Sequence, residues 1–202
     1  MAENQIFHTM LEQIETQLRN DILTGKLAPG VPLREKDVSE SFGVSRGPVR
    51  EVFRQLTQQG LLVSVPNKGV RVAQSPSDAL RPLIVLLRLD IELFVLDTVF
   101  DTITGKDIVL WEMILEDIHQ ACLQNDTAEL VKHDLRFHRS IIQKHEDQEI
   151  LAIWQPIVLR MLMHYNRLGD LMESYQEHKS IVDAIHARDK EAALAALKQN
   201  IQ

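Results

Sequence analysis

A chain of 202 residues, 45% apolar and 25% charged, has the make-up of a soluble globular protein with one or two real cores. Its single cysteine, Cys122, excludes an internal disulfide and speaks against a cysteine-rich zinc module, and no apolar run approaches the ~20 residues of a membrane helix. A net charge of −7 excludes nucleic-acid binding through overall charge, so any DNA surface has to be local. The opening MAENQIFHTMLEQ has no apolar core of signal length, and the expected compartment is the reducing cytoplasm.

The first helix is predicted over Ile6 to Leu23, where Phe7, Met10, Leu11, Ile14, Leu18 and Ile22 recur at three- and four-residue steps. Gly25 ends it, and LAPGVPL supplies turn chemistry. A short helix fits Glu35 to Ser41 and ends near Gly43. The next begins after Val44, with Ser45 placed to cap it and Pro48 tolerated in its first turn. Val49, Phe53 and Leu56 form its apolar stripe, and Gly60 closes it. LLVSV and VRVA around PNKG read as a hairpin with Asn67, Lys68 and Gly69 at the tip.

QSPSDALRP is a Ser/Pro linker, which puts a domain boundary at 75/76. Only helices follow. One spans about Asp78 to Asp101, with a distortion expected at Pro82. The next starts at the capping-box pattern Thr104 to Asp107 and runs to Gln124, and another runs from Asp126 to about Lys144. Three more cover Gln148 to Leu168, Glu173 to Ala187, and Asp189 to the end. The fold class is mainly α: an N-terminal winged helix-turn-helix, residues 1–75, and an antiparallel all-helical bundle, residues 76–202.

Arg46 and Arg50 share one face of the helix that opens SRGPVRE, and Gly47 and Pro48 add no long side chain at its tip. In a helix-turn-helix the second helix enters the major groove with its N-terminal residues near base edges, and Arg is the side chain best matched to guanine. Lys36 and Lys68 are placed to neutralise phosphates. A solvated helix with i, i+4 charges is the plainer alternative. It leaves the Gly-Pro entry, the preceding short helix and the following hairpin unexplained.

The stretch ILTGKLAPGVPLREKDVSESFGVSRGPVREVFRQLTQQGLLVSVPNKGVRVA, Ile22 to Ala73, resembles the GntR-type transcription regulators in its PG-x-x-L, GVSR-x-PVRE, L-x-x-x-GL and KGVRV elements. The helical remainder looks like the ligand domain of the FadR-type branch, called FCD. The resemblance implies a homodimer on a short palindromic double-stranded operator. It implies DNA contacts from Lys36, Arg46, Arg50 and Gly69, and Ser45, Gly47 and Lys68 join them as candidates for the same interface. Gly47 stands where the family often has Thr, which removes a hydroxyl contact.

Asp134 and His138 are four apart on one predicted helix, and His178 on a later helix can complete a cluster suited to Zn²⁺, Ni²⁺ or Mn²⁺. Hydrogen-bonded histidines without a metal fit the same spacing. Metal-binding FCD domains resemble this pattern, but their third His falls here at Asn200, a weaker ligand. Arg88 and Glu92 resemble the family's R-x-x-x-E pattern, which implies contact with a small-molecule carboxylate effector. An ion pair within one helix is the other reading. Arg160 and Tyr165 are further effector-contact candidates. His133, His164 and His186 read as ordinary surface or hydrogen-bonded positions. Trp154, Met161 and Met163 read as core or pocket lining, and Cys122 as a packed thiol.

The expected function is a ligand-responsive transcription regulator and not an enzyme. The sequence has no His-Glu-x-x-His helix, nucleophile elbow or phosphate loop. A constitutive DNA-binding dimer with a structural bundle and a metal-dependent enzyme are the competing readings.

Overall fold

The structure, a computed structural model, describes residues 2–163 and 170–201, and in the first helix it describes side chains from Met10 onward. The expectations for His164, Tyr165 and the helix end at Leu168 lie outside the described residues. The chain divides into two compact units, the first running through Pro76 and the second beginning at Ser77.

The first unit opens with α1, Ala2–Leu23, which buries Ile14, Leu18 and Ile22 at four-residue steps. Helices α2, Glu35–Phe42, and α3, Arg46–Gln58, follow, joined through Gly43 in the left-handed conformation at φ 65°. That turn suits glycine, which has no Cβ to collide with the following carbonyl. Helix α3 packs on α1 and α2 through Val49, Val52, Phe53 and Leu56, all nearly or fully buried.

The wing is a three-stranded antiparallel sheet of β1, Pro32–Leu33, β2, Leu62–Val65, and β3, Gly69–Val72, in the order β1-β3-β2. The hairpin is as expected from sequence, with Val65 opposite Gly69. Strand β1 corrects the reading of LAPGVPL as turn alone. Pro32 pairs with Arg71 and Leu33 with Val70. Proline has no N–H to give, and an edge strand is where a sheet tolerates it.

A second correction concerns Ser45. It sits at the N-cap of α3 but makes no side-chain cap hydrogen bond. The third helical position, whose N–H a Ser cap commonly engages, is Pro48, which has none.

In the second unit a short 3-10 turn, Asp78–Leu80, leads into α4, Arg81–Val99, and another, Phe100–Thr102, follows it. Pro82 lies in the first turn of α4 and so begins the helix without bending its middle. Helix α5, Gly105–Leu123, starts where the Asp107 carboxylate accepts from the Thr104 N–H and hydroxyl. Helix α6, Thr127–Ile142, is capped by Asp126, which accepts from the N–H groups of Ala128 and Glu129. Helix α7, Glu149–Leu162, carries Pro156 inside it. Helices α8, Leu171–His186, and α9, Lys190–Ile201, complete the bundle. Its core is Trp111, Ile114, Ile118, Leu130, Phe137, Ile141, Ile142, Trp154 and Ile181, each fully buried or nearly so. Helix α6 packs on α4 and α5, while α8 packs on α5 and α9, which brings α4, α6 and α8 around one interior.

Candidate nucleic-acid interface and candidate metal centre

The apolar stripe of α3 faces α1 and α2, so its arginines are left on the outside. Arg46 is exposed and has no side-chain hydrogen-bond partner among the described residues. The Arg50 side chain is 71% exposed. Its Nε donates to Glu35 Oε1 at 3.0 Å and its Nη2 to Glu35 Oε2 at 2.9 Å, a two-point pair across α2 and α3. That hydrogen bond chiefly holds the Glu35 carboxyl below its ordinary range. The pair occupies one edge of the Arg50 guanidinium and leaves the other free. Arg54, one turn on, is held by Glu51. Lys36 is exposed and 3.7 Å from Glu40. Gly47, Lys68 and Gly69 are exposed, and Gly69 has φ 76°, where any side chain would be strained. Glu35 had no distinguishing mark in the sequence, because its partner lies 15 residues away on another helix.

In the bundle, Asp134 and His138 on α6 and His178 on α8 come together as expected, all three buried, with one ligand atom of each lying within 4.8 Å of the others. His178 Nε2 is 3.4 Å and His138 Nε2 is 3.8 Å from Asp134 Oδ1. Two ligands each ~2.1 Å from one ion at a tetrahedral angle stand about 3.4 Å apart, so these separations suit a shared cation.

The outward-facing ring nitrogens report the tautomers. His178 Nδ1 lies 2.7 Å from the Ser174 carbonyl oxygen, which can only accept. His138 Nδ1 lies 2.6 Å from Glu92 Oε2. Each Nδ1 therefore carries hydrogen, and in the neutral ring each Nε2 is a lone pair pointing inward. His138 Nε2 and His178 Nε2, which face Asp134 Oδ1, are buried without a hydrogen-bond partner, and so is Asp134 Oδ2. Buried polar groups are rarely left so, and three converging acceptors need a cation or protons between them. The residues present thus fit a divalent metal by both donor chemistry and spacing. Burial opposes ionisation of Asp134. With protons in place of a metal, a charged His178 donating from Nε2 and the charges of His138 and Arg88 outweigh it and hold the carboxyl well below its usual range.

Asn200 lies beside the cluster, its Nδ2 3.4 Å from His178 Nδ1 and 3.4 Å from Glu177 Oε2, and its Oδ1 is buried without a partner. The Ser174 hydroxyl is a further buried atom without a partner, one turn before His178, and no sequence pattern marked it.

Arg88 and Glu92 on α4 are 3% and 1% exposed and paired at 2.7 Å. The two therefore form an ion pair within one helix, and it is buried, not on the surface. Glu92 Oε1 also accepts from Trp154 Nε1 at 2.7 Å, so Trp154 is both core and part of this network. Burial opposes ionisation of Glu92, and the charges and hydrogen bonds of Arg88 and His138 overcome it, lowering its pKa to about 2. Arg88 Nη1 approaches Met161 Sδ at 3.5 Å. Arg160 is exposed on α7, apart in environment from the buried cluster. His133 bonds Glu129, His186 is exposed near Glu112, and the Cys122 thiol donates to the Leu171 carbonyl inside the bundle.

Comparison with known proteins agrees with both halves. Residues 11–72 match the model of bacterial regulatory proteins of the gntR family, and residues 84–202 match the FCD domain. The chain is 29% identical to the HTH-type transcriptional repressor RspR of Escherichia coli over 95% of its length and 85% of that protein. It is 26% identical to the probable D-xylose utilization operon transcriptional repressor of Paenarthrobacter nicotinovorans, over 96% of this chain and 86% of that protein. Its fold is similar to that of Escherichia coli McbR/YncC, with a TM-score of 0.81 and 22% identity over 96% of this chain and 93% of that one. An exposed arginine-bearing helix after the turn, a wing and a helical domain that matches from residue 84 onward leave one assignment: the chain belongs to the GntR family of bacterial regulatory proteins, and is a sequence-specific DNA-binding transcription regulator with an FCD domain.

Proposed function

We propose that this regulator is ligand-responsive: a divalent transition metal held by Asp134, His138 and His178, together with Arg88, receives a small carboxylate effector in the FCD domain. The observation that carries the reading is the clustering of three buried side chains, each with an acceptor atom that lacks a partner. A metal there would leave coordination positions open to a carboxylate, and Ser174 supplies a nearby hydroxyl that lacks a partner. The effector would shift the balance between two arrangements of the protein, and by linkage DNA would oppose or favour effector binding to the same degree. Metal analysis of the purified protein, followed by a thermal-shift screen of organic acids, tests this. Stabilisation by one acid that disappears in Asp134→Ala and His138→Ala supports it. No response to any metal or acid returns the bundle to a structural role.

At the operator, Arg46 and Arg50 reach base edges, while Lys36, Lys68 and the backbone around Ser45, Gly47 and Gly69 hold phosphates. Two copies reading a short palindrome need a two-fold interface. Helix α4 supports one. Leu83, Leu86, Leu87 and Phe94 lie on a single face, each roughly half exposed, opposite the buried face that carries Arg88 and Glu92. Four large apolar side chains on one exposed face, with Asp90 and Asp97 among them, are more surface than a lone helix normally leaves in water, and a second copy is the cover that operator symmetry requires. Leu86→Glu should give a monomer in analytical ultracentrifugation, and a dimer that survives it would reject this face.

A further inference from the structure

We propose that Glu92 is a positioning residue for the metal centre: it fixes His138 in the tautomer whose Nε2 is a free lone pair. This rests on the metal reading above, but the tautomer itself can be read without metal. Glu92 receives three donors. Arg88 Nε and Trp154 Nε1 each point at Oε1 from 2.7 Å, and His138 Nδ1 points at Oε2 from 2.6 Å. An ionised carboxylate has acceptors on both oxygens and no proton to offer, so all three contacts hold only if His138 carries its hydrogen on Nδ1. The lone pair is then on Nε2, the atom that faces Asp134 Oδ1 at 3.8 Å and has no partner. Glu92 thus sits on the far side of the ring from the cluster and touches no ligand position. Outer groups of this kind set ring orientation and ligand basicity in metal sites.

Glutamine at this position would have the same shape with one oxygen and one NH2 group. Two donors, Arg88 and Trp154, compete for the oxygen at one end, and only His138 stands at the other. The favoured orientation keeps the oxygen toward the pair and turns the NH2 toward His138 Nδ1. That nitrogen must then accept, and the ring hydrogen moves to Nε2, where Asp134 can take it. Glu92→Gln therefore removes a metal ligand without removing a ligand residue.

The test uses the full chain with 15N-labelled histidine, metal-free, at a pH high enough for neutral rings. Long-range 1H–15N spectra should show His138 as the Nδ1–H tautomer in the wild type and the Nε2–H tautomer in Glu92→Gln. Zn²⁺ affinity by competition with a chromophoric chelator should fall by about 10–100-fold in the variant. An Nε2–H tautomer in the wild type, an unchanged tautomer in the variant, or equal Zn²⁺ affinity in both would overturn the assignment. A merely structural carboxylate would lower stability without moving the ring hydrogen. Should the variant fail to fold, the wild-type tautomer still decides. If the wild type binds no Zn²⁺, the metal reading fails, and the two spectra decide the role of Glu92 separately.

Discussion

The two candidate sites are built in opposite ways. The arginines of α3 stand in solvent, and Arg50 is met only by an exposed-edge carboxylate. The cluster of α4, α6 and α8 is closed off, with His138 and His178 fully buried and Glu92 1% exposed. An exposed ion pair contributes little to stability, since water competes for both partners and each side chain loses freedom. Such groups are free to change partners, as the proposed exchange of Glu35 for a DNA edge would require. Buried polar groups cannot change partners without leaving a charge uncompensated. The bundle site is therefore a place where one added or removed cation changes the internal balance of three helices.

The largest effect should come from the buried side. Asp134→Ala or His178→Ala should weaken divalent-metal binding by more than ~100-fold, beyond what loss of an outer group costs, as measured by metal competition. DNA binding by the metal-free variants should match that of the metal-free wild type. Next come the exposed arginines. Arg46→Ala and Arg50→Ala should each remove specific operator recognition, at about 1–3 kcal/mol for a two-point contact to guanine, with unchanged thermal unfolding. Equal gel-shift affinity in both variants would take base reading away from α3. The contrast sharpens if the bundle variants lose metal without losing operator affinity, while the α3 variants do the reverse.

The different construction also explains what could be read in the sequence. Helix-turn-helix order and wing were marked by local chemistry: Gly43, the Ser45-Arg46-Gly47-Pro48 entry, Gly60 and PNKG. Asp134 and His138 were marked by a four-residue spacing that any helix turns into neighbours. The partnership of Glu92 with His138 spans 46 residues and two helices, and no local pattern records it. Arg88-x-x-x-Glu92 announced a pair, but not that the pair is buried or that Trp154 joins it. Strand β1 escaped because two residues containing a proline give no alternation to detect, and its pairing is decided by β3 some 40 residues away. The missing Ser45 cap bond was legible in retrospect, since Pro48 removes the donor.

Acid should probe the closed site selectively. Glu92 has a folded-state pKa lowered from 4.5 to about 2, so the folded protein binds fewer protons than the unfolded chain between those values. Its contribution to stability is then fully present above pH ~4.5 and is lost as pH falls toward about 2. Asp134 is lowered as well and loses its contribution in the same direction. Urea midpoints measured across that window should fall less steeply for Glu92→Gln than for the wild type. Parallel curves would mean that Glu92 is not held ionised by its neighbours.

The smallest effect belongs to the wing. Lys68 is exposed in the turn Pro66-Asn67-Lys68 that leads into β3, with Asn67 at φ 59° and Gly69 at φ 76°. A lysine there offers a point charge suited to a phosphate and lacks the planar two-point fork with which Arg reads guanine. Lys68→Ala should therefore weaken operator and random DNA alike. The slope of log affinity against log salt should become shallower by about 1, the value for one released counterion. Arg50→Ala should instead change the ratio of operator to random affinity. If Lys68→Ala lowered that ratio while leaving the salt slope unchanged, the wing would be a base reader, and the division between reading by α3 and holding by the wing would be lost.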